Sequence, residues 1–359
     1  MAQIDAFFSM MHELGASDLH LSSGSQPIIR LHGILQRVKF KVLEHEELKK
    51  LLYEITPEPK IKEFEETGDV DFAYAVPGIS RYRVNFFLQS RGVAAAFRTI
   101  PEKVLTLDDL GMPPILKEFC KLPKGLVLVT GPTGSGKSTT LAAMIDYINN
   151  QRQEHILTIE DPIEFLHQPK NCLINQREVG RDTRSFTSAL RGALREDPDV
   201  ILVGEMRDLE TIRLALEAAE TGHLVFSTLH TISAAKTVDR IIEVFPGDQQ
   251  EQIRSALSES LRGIVAQTLF KRVDKPGRCA ALEILVAVPA VRNLIRERRT
   301  FQINSVIETG KNLGMQTLDD AIMELLDARK IGADDAYNKS IQKNRFKDRL
   351  EKPPVGMEE

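Results

Sequence analysis

A glycine-rich loop at residues 131–138 has the clearest chemical signature in the chain, with the sequence Gly-Pro-Thr-Gly-Ser-Gly-Lys-Ser. Glycines permit positive φ and leave backbone N–H groups open to phosphate oxygens. The lysine can reach the β- and γ-phosphates of a nucleotide, and the serine hydroxyl after it is the expected Mg²⁺ ligand. A strand pattern before the loop and a helix pattern after it complete a Walker A motif, which predicts ATP binding. The predicted nucleotide contacts here are Gly131, Pro132, Thr133, Gly134, Ser135, Gly136, Lys137, Ser138 and Thr139, with Ser138 as the Mg²⁺ ligand.

Carboxylates follow two further strand patterns, and ATP hydrolysis needs groups that position water and compensate charge. Glu160, Asp161 and Glu164 follow the pattern at 155–159, and Glu205 follows the apolar run at 200–203. In open α/β sheets, residues just past the carboxyl ends of strands face the ligand crevice. Both sets are therefore candidates for hydrolysis, although each could equally be a solvated loop. Because Gly-Glu stands where an Asp usually ends a Walker B strand, the role of Glu205 stays open between the Mg²⁺ shell and the base.

Two histidines flank a third strand pattern at 224–228. His223 precedes this strand, whereas His230 follows it and so comes at a carboxyl end, where an imidazole could sense the γ-phosphate. A lone histidine is more often structural than functional. The pattern therefore favours His230 over His223 as a site residue.

The overall composition is that of an ordinary soluble protein, with 42% hydrophobic and 27% charged residues among 359. The net charge of −4 argues against a mainly electrostatic hold on nucleic acid. Cys120, Cys172 and Cys279 offer neither a zinc-ligand spacing nor a disulfide framework, which indicates a reducing cytosol. The start lacks the pattern of a signal peptide, and no apolar run approaches the roughly 20 residues needed to cross a bilayer. Membrane association is therefore expected only through partners.

The chain length predicts two domains. Residues 1–100 combine helix patterns at 4–14 and 44–55 with strand patterns at 28–38, 69–76, 82–88 and 93–100, which indicates an α+β domain ending in an antiparallel meander. Three prolines mark residues 101–114 as the linker. Strands alternating with helices over 115–289 predict a mainly parallel sheet with covered faces. A long helix is predicted at 249–269, then a hairpin turned at 275–277, and then a helical region at 290–359 with a disordered tail at 351–359.

Together these motifs resemble the secretion-superfamily ATPases that drive type IV pili and type II secretion. The Walker A loop, the acidic box at 160–164, the Walker B segment and the histidine box match in identity and order. The segments at 16–21 and 195–199 also resemble family signatures. The resemblance covers nearly the whole chain. It implies an α/β fold with a RecA-like P-loop ATPase core, a PAS-like α+β amino-terminal domain and a helical carboxyl-terminal region.

Within the superfamily, the segment Ala-Val-Arg-Asn-Leu-Ile-Arg-Glu at 290–297 is similar to that of the pilus retraction ATPases, which have Ile where this chain has Val291. Extension and secretion ATPases carry a longer amino-terminal extension and a tetracysteine zinc segment, which the dispersed cysteines cannot supply. Retraction is therefore favoured. The residue pattern alone predicts only an amphipathic helix that covers the core.

The resemblance also assigns roles to individual residues. Glu164 matches the catalytic glutamate of the family, Glu205 its Walker B glutamate, and Arg83 and Arg98 the arginines supplied to the phosphates. A guanidinium fork suits phosphate oxygens. His230 joins the catalytic set, and His223 joins the nucleotide contacts. From the pattern alone, the alternation of arginines at 81 and 83 is simply the polar face of a strand.

The function implied by the resemblance is that of a cytoplasmic, Mg²⁺-dependent ATPase, working as a homo-hexamer at the inner-membrane pilus base and powering pilus retraction and twitching motility. ATP would lie where domains and neighbouring subunits meet, and the expected partner is the pilus platform protein. An extension or secretion ATPase would share every catalytic motif. A nucleic-acid translocase would need a basic stripe with stacking aromatics, which the sequence does not display, so no direct nucleic-acid partner is expected. A noncatalytic scaffold would not need Glu164 and Glu205.

Overall fold

The computed structural model describes residues 2–31, 33–100 and 104–350, which form two compact units. One unit contains the described residues up to 100 together with 164–166, and the other contains the remaining described residues from 104 to 350. Two sequence predictions fall on residues outside this description: the first three positions of the linker at 101–114 and the tail at 351–359.

The amino-terminal unit has a six-stranded antiparallel sheet. Its strands are β1 (Asp18–Ser22), β2 (Ile28–Leu31), β3 (Ile34–Arg37), β4 (Asp69–Val76), β5 (Ser80–Gln89) and β6 (Gly92–Ile100), in the order β3-β2-β1-β6-β5-β4. Strands β4, β5 and β6 pair in sequence, so the predicted meander is confirmed. The pattern at 28–38 forms two strands, β2 and β3, rather than one.

Three helices accompany this sheet: α1 (Asp5–Leu14), α2 (His45–Tyr53) and α3 (Glu58–Thr67). An aromatic cluster joins α1 to the sheet. The ring of Phe8 stacks on Tyr82 with centroids 4.3 Å apart and meets Phe97 edge-on at 5.1 Å. Alternate residues of β5 and β6 point toward this core because the side-chain period of a strand is two.

The second unit contains a seven-stranded sheet. Its strands are β7 (Gly125–Thr130), β8 (His155–Glu160), β9 (Leu173–Glu178), β10 (Val200–Val203), β11 (Leu224–Leu229), β12 (Leu261–Lys271) and β13 (Arg278–Val286), in the order β13-β12-β7-β11-β10-β8-β9. All neighbouring pairs are parallel except β12 and β13, which form the predicted hairpin. The central strands are wholly buried, as expected for a parallel sheet covered on both faces.

Helices surround this sheet and continue to the end of the described chain. They are α4 (Ile115–Cys120), α5 (Lys137–Gln151), α6 (Phe186–Ala193), α7 (Leu209–Thr221), α8 (Ala234–Glu243), α9 (Gln250–Ser260), α10 (Pro289–Arg296), α11 (Ile303–Thr309), α12 (Leu318–Asp327) and α13 (Ala333–Lys339). The region predicted to be helical after residue 290 thus contains α10 to α13, which end at Lys339, followed by two 3-10 turns at Lys343–Arg345 and Lys347–Arg349. Among the helices that the structure describes, none has both the length and the apolar character that a membrane crossing requires.

The long helix predicted at 249–269 is wrong. Helix α9 ends at Ser260, and the chain continues as β12, which pairs in parallel with β7. The physical reason is burial on both faces, because the run that includes Ile264 and Val265 packs inside the sheet rather than along one side of a helix. Gly263 also permits a close approach, since a Cβ there would lie 2.3 Å from the ring of Phe119.

Candidate nucleotide-binding and catalytic site

Four parallel strands of the second sheet have their carboxyl ends on the same side, and a predicted site segment follows each of them. The phosphate loop follows β7, the acidic box follows β8, Glu205 lies just beyond β10, and His230 follows β11 directly. The carboxyl ends of parallel strands are the usual ligand-binding edge of an open α/β sheet. The topology therefore explains why segments that are distant in sequence converge.

The phosphate loop has the backbone conformation that its glycines suggested. Gly131, Gly134 and Gly136 have φ values of 141°, 79° and 88°. The ammonium of Lys137 donates to the carbonyls of Gly131, at 2.9 Å, and Pro132, at 3.2 Å. These bonds fix the lysine across the loop. Helix α5 begins at Lys137, and the first-turn N–H groups of a helix attract anions.

The remaining loop residues differ in exposure. Pro132, Thr133 and Gly134 are exposed, Ser138 and Thr139 are half-buried, and Ser135 is buried. The Ser138 hydroxyl lies in the first turn of α5, where a serine can meet a metal bound to phosphates.

The Glu205 carboxylate contacts two side chains, Arg207 and His230. Its Oε2 lies 2.8 Å from Nη2 of Arg207, and its Oε1 lies 2.9 Å from Nε2 of His230. Partial burial opposes ionisation of this carboxyl. The Arg207 hydrogen bond and the charges of His230, Arg207 and Lys137 outweigh that effect and lower the pKa of Glu205. The structure thus brings Lys137, Glu205 and His230 together.

Arg207 is a site residue that sequence reasoning missed. It lies in the loop that leads from β10 to α7, two positions after Glu205, and the Glu205 carboxylate raises its pKa. Asp208 ends this loop by capping α7, where its Oδ1 accepts from the N–H of Thr211 at 2.9 Å. The sequence signal that could have found it is an arginine two positions after a candidate catalytic acid and directly before a helix cap.

The acidic box divides between two environments. The Glu160 carboxylate accepts a hydrogen bond of 2.7 Å from the Thr158 hydroxyl on its own strand. Glu164 is exposed and groups with the amino-terminal unit. Its catalytic role stays a prediction.

His223 precedes β11 and so lies at the amino-terminal ends of the strands, opposite the ends that the phosphate loop follows. Its backbone carbonyl accepts from the N–H of Gly125, at the start of β7, and its Nδ1 lies 2.9 Å from the carbonyl of Ala218. The six residues of β11 separate its two ends by about 20 Å. Within this chain, the structure therefore does not bring His223 to the phosphate loop.

The two predicted arginines form part of a charged row across the amino-terminal sheet. Arg83 and Arg98 are directly opposite on neighbouring strands, and Asp18 is opposite Arg98 on β1. The Arg98 Nε donates to Asp18 Oδ1 at 2.9 Å, while Arg30 Nε lies 3.4 Å from Oδ2. Partial burial disfavours the charge on Asp18, but a hydrogen bond from Ser17 and the arginines outweigh it and lower the pKa of Asp18.

Arg83 and Arg98 place two positive charges side by side on neighbouring strands. Like charges directly opposite on two strands are unfavourable. Asp18 compensates for Arg98, and Asp71 Oδ1 lies 3.9 Å from Nε of Arg83. The Arg98 side chain is nevertheless 73% exposed, so it is accessible to an anion. Asp18 was missed because the sequence offered it only as part of the signature at 16–21.

The described residues do not form a metal site made of protein ligands alone. Among residues 2–31, 33–100 and 104–350, no group of three or more His, Cys, Asp or Glu could hold a metal ion. Mg²⁺ in nucleotide sites is usually held by one or two protein oxygens together with phosphates and water. The oxygens of Ser138 and Glu205 suit such an ion.

The parallel sheet, the Walker loop and the acid beyond β10 define a P-loop nucleotide-binding ATPase core. The chain belongs to the type II/IV secretion system protein family, whose family model matches residues 2–329.

Similar proteins include two curated relatives. The chain is 58% identical over 326 residues to the type IV pilus retraction ATPase PilT of Pseudomonas aeruginosa, covering 91% of this chain and 94% of the relative. It is 54% identical over 325 residues to the twitching motility protein of Neisseria gonorrhoeae, covering 89% and 87%. Among solved structures, the pilus retraction motor PilT with bound ADP matches with a TM-score of 0.88 at 46% identity, covering 97% of this chain and 98% of that one.

Proposed function

We propose that this chain is an ATP-hydrolysing motor that powers type IV pilus retraction and twitching motility. The observation that supports it most is that the Walker loop, Glu205 and His230 follow neighbouring parallel strands at the same strand ends, where His230 Nε2 lies 2.9 Å from Glu205 Oε1. Relatives named for pilus retraction and twitching motility match over nearly the whole chain. The site accounts for ATP chemistry, and the relatives indicate what that chemistry drives.

The phosphate loop would hold the nucleotide. Backbone N–H groups at the start of α5 and the Lys137 ammonium supply positive charge to the β- and γ-phosphates. Ser138, assisted by Glu205, would hold Mg²⁺, which neutralises charge on the phosphate oxygens when it is bound. The lowered pKa of Glu205 keeps its carboxylate ionised at neutral pH.

Glu164 would orient the attacking water and accept its proton, which leaves Glu205 free for the metal side of the site. Arg83 and Arg98 would compensate charge that develops on the transferring phosphoryl group. His230 would report the state of the γ-phosphate, because the 2.9 Å contact between its Nε2 and the Glu205 Oε1 couples the two side chains. A change in the charge or position of Glu205 therefore alters the interaction that holds His230, and the reverse is also true.

The proposed working form is a homo-hexameric ring in the cytoplasm at the inner-membrane pilus base, acting on the platform protein. Subunits that close around ATP and relax after product release would convert hydrolysis into movement. A ligand can drive such closure only through its different affinities for the open and closed states.

An extension or type II secretion ATPase is the main alternative, because it would share the catalytic residues. Deleting the gene separates these functions in cells. Hyperpiliated, nonmotile cells support retraction, whereas bald cells would indicate extension and a secretion defect would indicate the type II system.

Complementation sharpens this test. The wild-type gene should restore motility, and so should Arg191→Gln, a change in an exposed ion pair with Glu210 away from the phosphate loop. Lys137→Ala should not restore it. Motility restored by Lys137→Ala would contradict an ATP-driven role.

A further inference from the structure

Strand β12 contains a buried amide side chain, that of Gln267. Gln267 is only 2% exposed and follows the buried residues Ile264, Val265 and Ala266. A buried amide without hydrogen bonds would destabilise the fold, so its partners indicate why it is present.

Both ends of the Gln267 amide bond to the segment that forms the phosphate loop and the first turn of α5. Its Nε2 donates to the backbone carbonyl of Ser135 at 2.6 Å. Its Oε1 accepts from the Thr140 hydroxyl at 2.7 Å. A carbonyl can only accept, so the Ser135 bond fixes the orientation of the amide. One side chain therefore ties the loop to the helix that continues it.

The loop also passes very close to Gln267. A Cβ on Gly131 would lie 2.4 Å from the backbone carbonyl oxygen of Gln267, and a Cβ on Gly136 would lie 2.8 Å from its side-chain Nε2. Gly131 is thus required by the close approach of the β12 backbone and Gly136 by the Gln267 side chain, as well as by their positive φ. The path of the loop and the position of the glutamine are matched to each other.

We propose that Gln267 is a positioning residue for the nucleotide phosphates, an inference that rests on the proposed ATPase function. In a planar trans peptide, the carbonyl and the following N–H point in opposite directions. By holding the Ser135 carbonyl toward β12, Gln267 turns the Gly136 N–H away from the sheet, toward the side where the phosphates bind. The Thr140 bond keeps the amide in this orientation. Gln267 acts through the loop and does not itself touch the nucleotide.

The test compares ADP binding by the full-length wild type, Gln267→Met and Gln267→Glu. The methionine variant keeps the volume but removes both bonds, and the glutamate variant keeps an acceptor for Thr140 but removes the donor to Ser135. We expect each to raise the Kd for ADP about 10-fold, which corresponds to about 1.4 kcal/mol. Thr140→Val should raise it less, because the bond to Ser135 remains.

Gln316→Met is the matched control. The Gln316 amide donates to the carbonyl of Leu282 at 2.8 Å, which is the same kind of bond at a site outside the phosphate loop. This variant should melt at a lower temperature without nucleotide but keep the wild-type Kd. The increase in melting temperature that ADP produces should be smaller in the Gln267 variants but unchanged in Gln316→Met.

The outcomes separate the two proposals. Absence of ADP binding by the wild type would contradict the proposed function itself. Wild-type Kd values in both Gln267 variants, or failure of both to fold, would assign Gln267 a purely structural role and overturn the positioning proposal alone.

Discussion

Replacing Arg207 by glutamine should slow ATP hydrolysis while leaving the protein folded. Arg207 provides one of the two side-chain contacts that hold Glu205, and the Glu205 side chain is only 18% exposed. A hydrogen bond to a charged group contributes about 1.5–3 kcal/mol. Because the Arg207 side chain is 72% exposed, solvent screening places its contribution at or below the lower end. A loss of about 1.4 kcal/mol in the transition state lowers the rate about 10-fold.

The assay is steady-state phosphate release at saturating ATP and Mg²⁺. Arg191→Gln is the control, because it also removes an arginine from an exposed ion pair in the same unit. A double-mutant cycle with His230→Gln should show non-additive losses, since both side chains contact the same carboxylate. An unchanged turnover for Arg207→Gln, or an equal loss for Arg191→Gln, would refute the role given to this contact.

Two further predictions concern stability. Glu283 is buried, and its carboxylate accepts from the N–H of Ala234 at 2.7 Å. Burial raises the pKa of Glu283 above its ordinary value of 4.5. The stabilisation that this residue provides is therefore present below pH 4.5 and is lost as the pH rises through the raised pKa. Urea unfolding should therefore show Glu283→Gln gaining on the wild type as the pH rises above 4.5, whereas a pH-independent difference would count against this sign. Gly263→Ala should lower the free energy of unfolding by about 1–3 kcal/mol, because the added methyl meets the Phe119 ring; an unchanged urea midpoint would show that the ring moves aside at no cost.

The phosphate loop was predictable from sequence because local chemistry determines it. Glycines with positive φ, a lysine and a helix start occur within eight consecutive residues. The acids at strand ends were found for a related reason, since strand ends of a parallel sheet converge whatever the intervening sequence. Neither inference needed long-range packing.

Other features depend on packing that one segment does not reveal. The helical periodicity of α9 runs into β12, and only pairing with β7 distinguishes the two. Strand β9 was missed because it contains Asn175, Gln176 and Arg177, which give no apolar pattern at the sheet edge. The ion pair of Arg207 and the two bonds of Gln267 depend on tertiary positions in the same way.

Phosphate release from purified wild type, Lys137→Ala and Glu164→Ala tests the central claim most directly. The wild type should hydrolyse ATP in the presence of Mg²⁺, and both folded variants should lose this activity, since one lacks the phosphate-binding ammonium and the other lacks the proposed base. Normal phosphate release by either variant would contradict the chemistry assigned to this site.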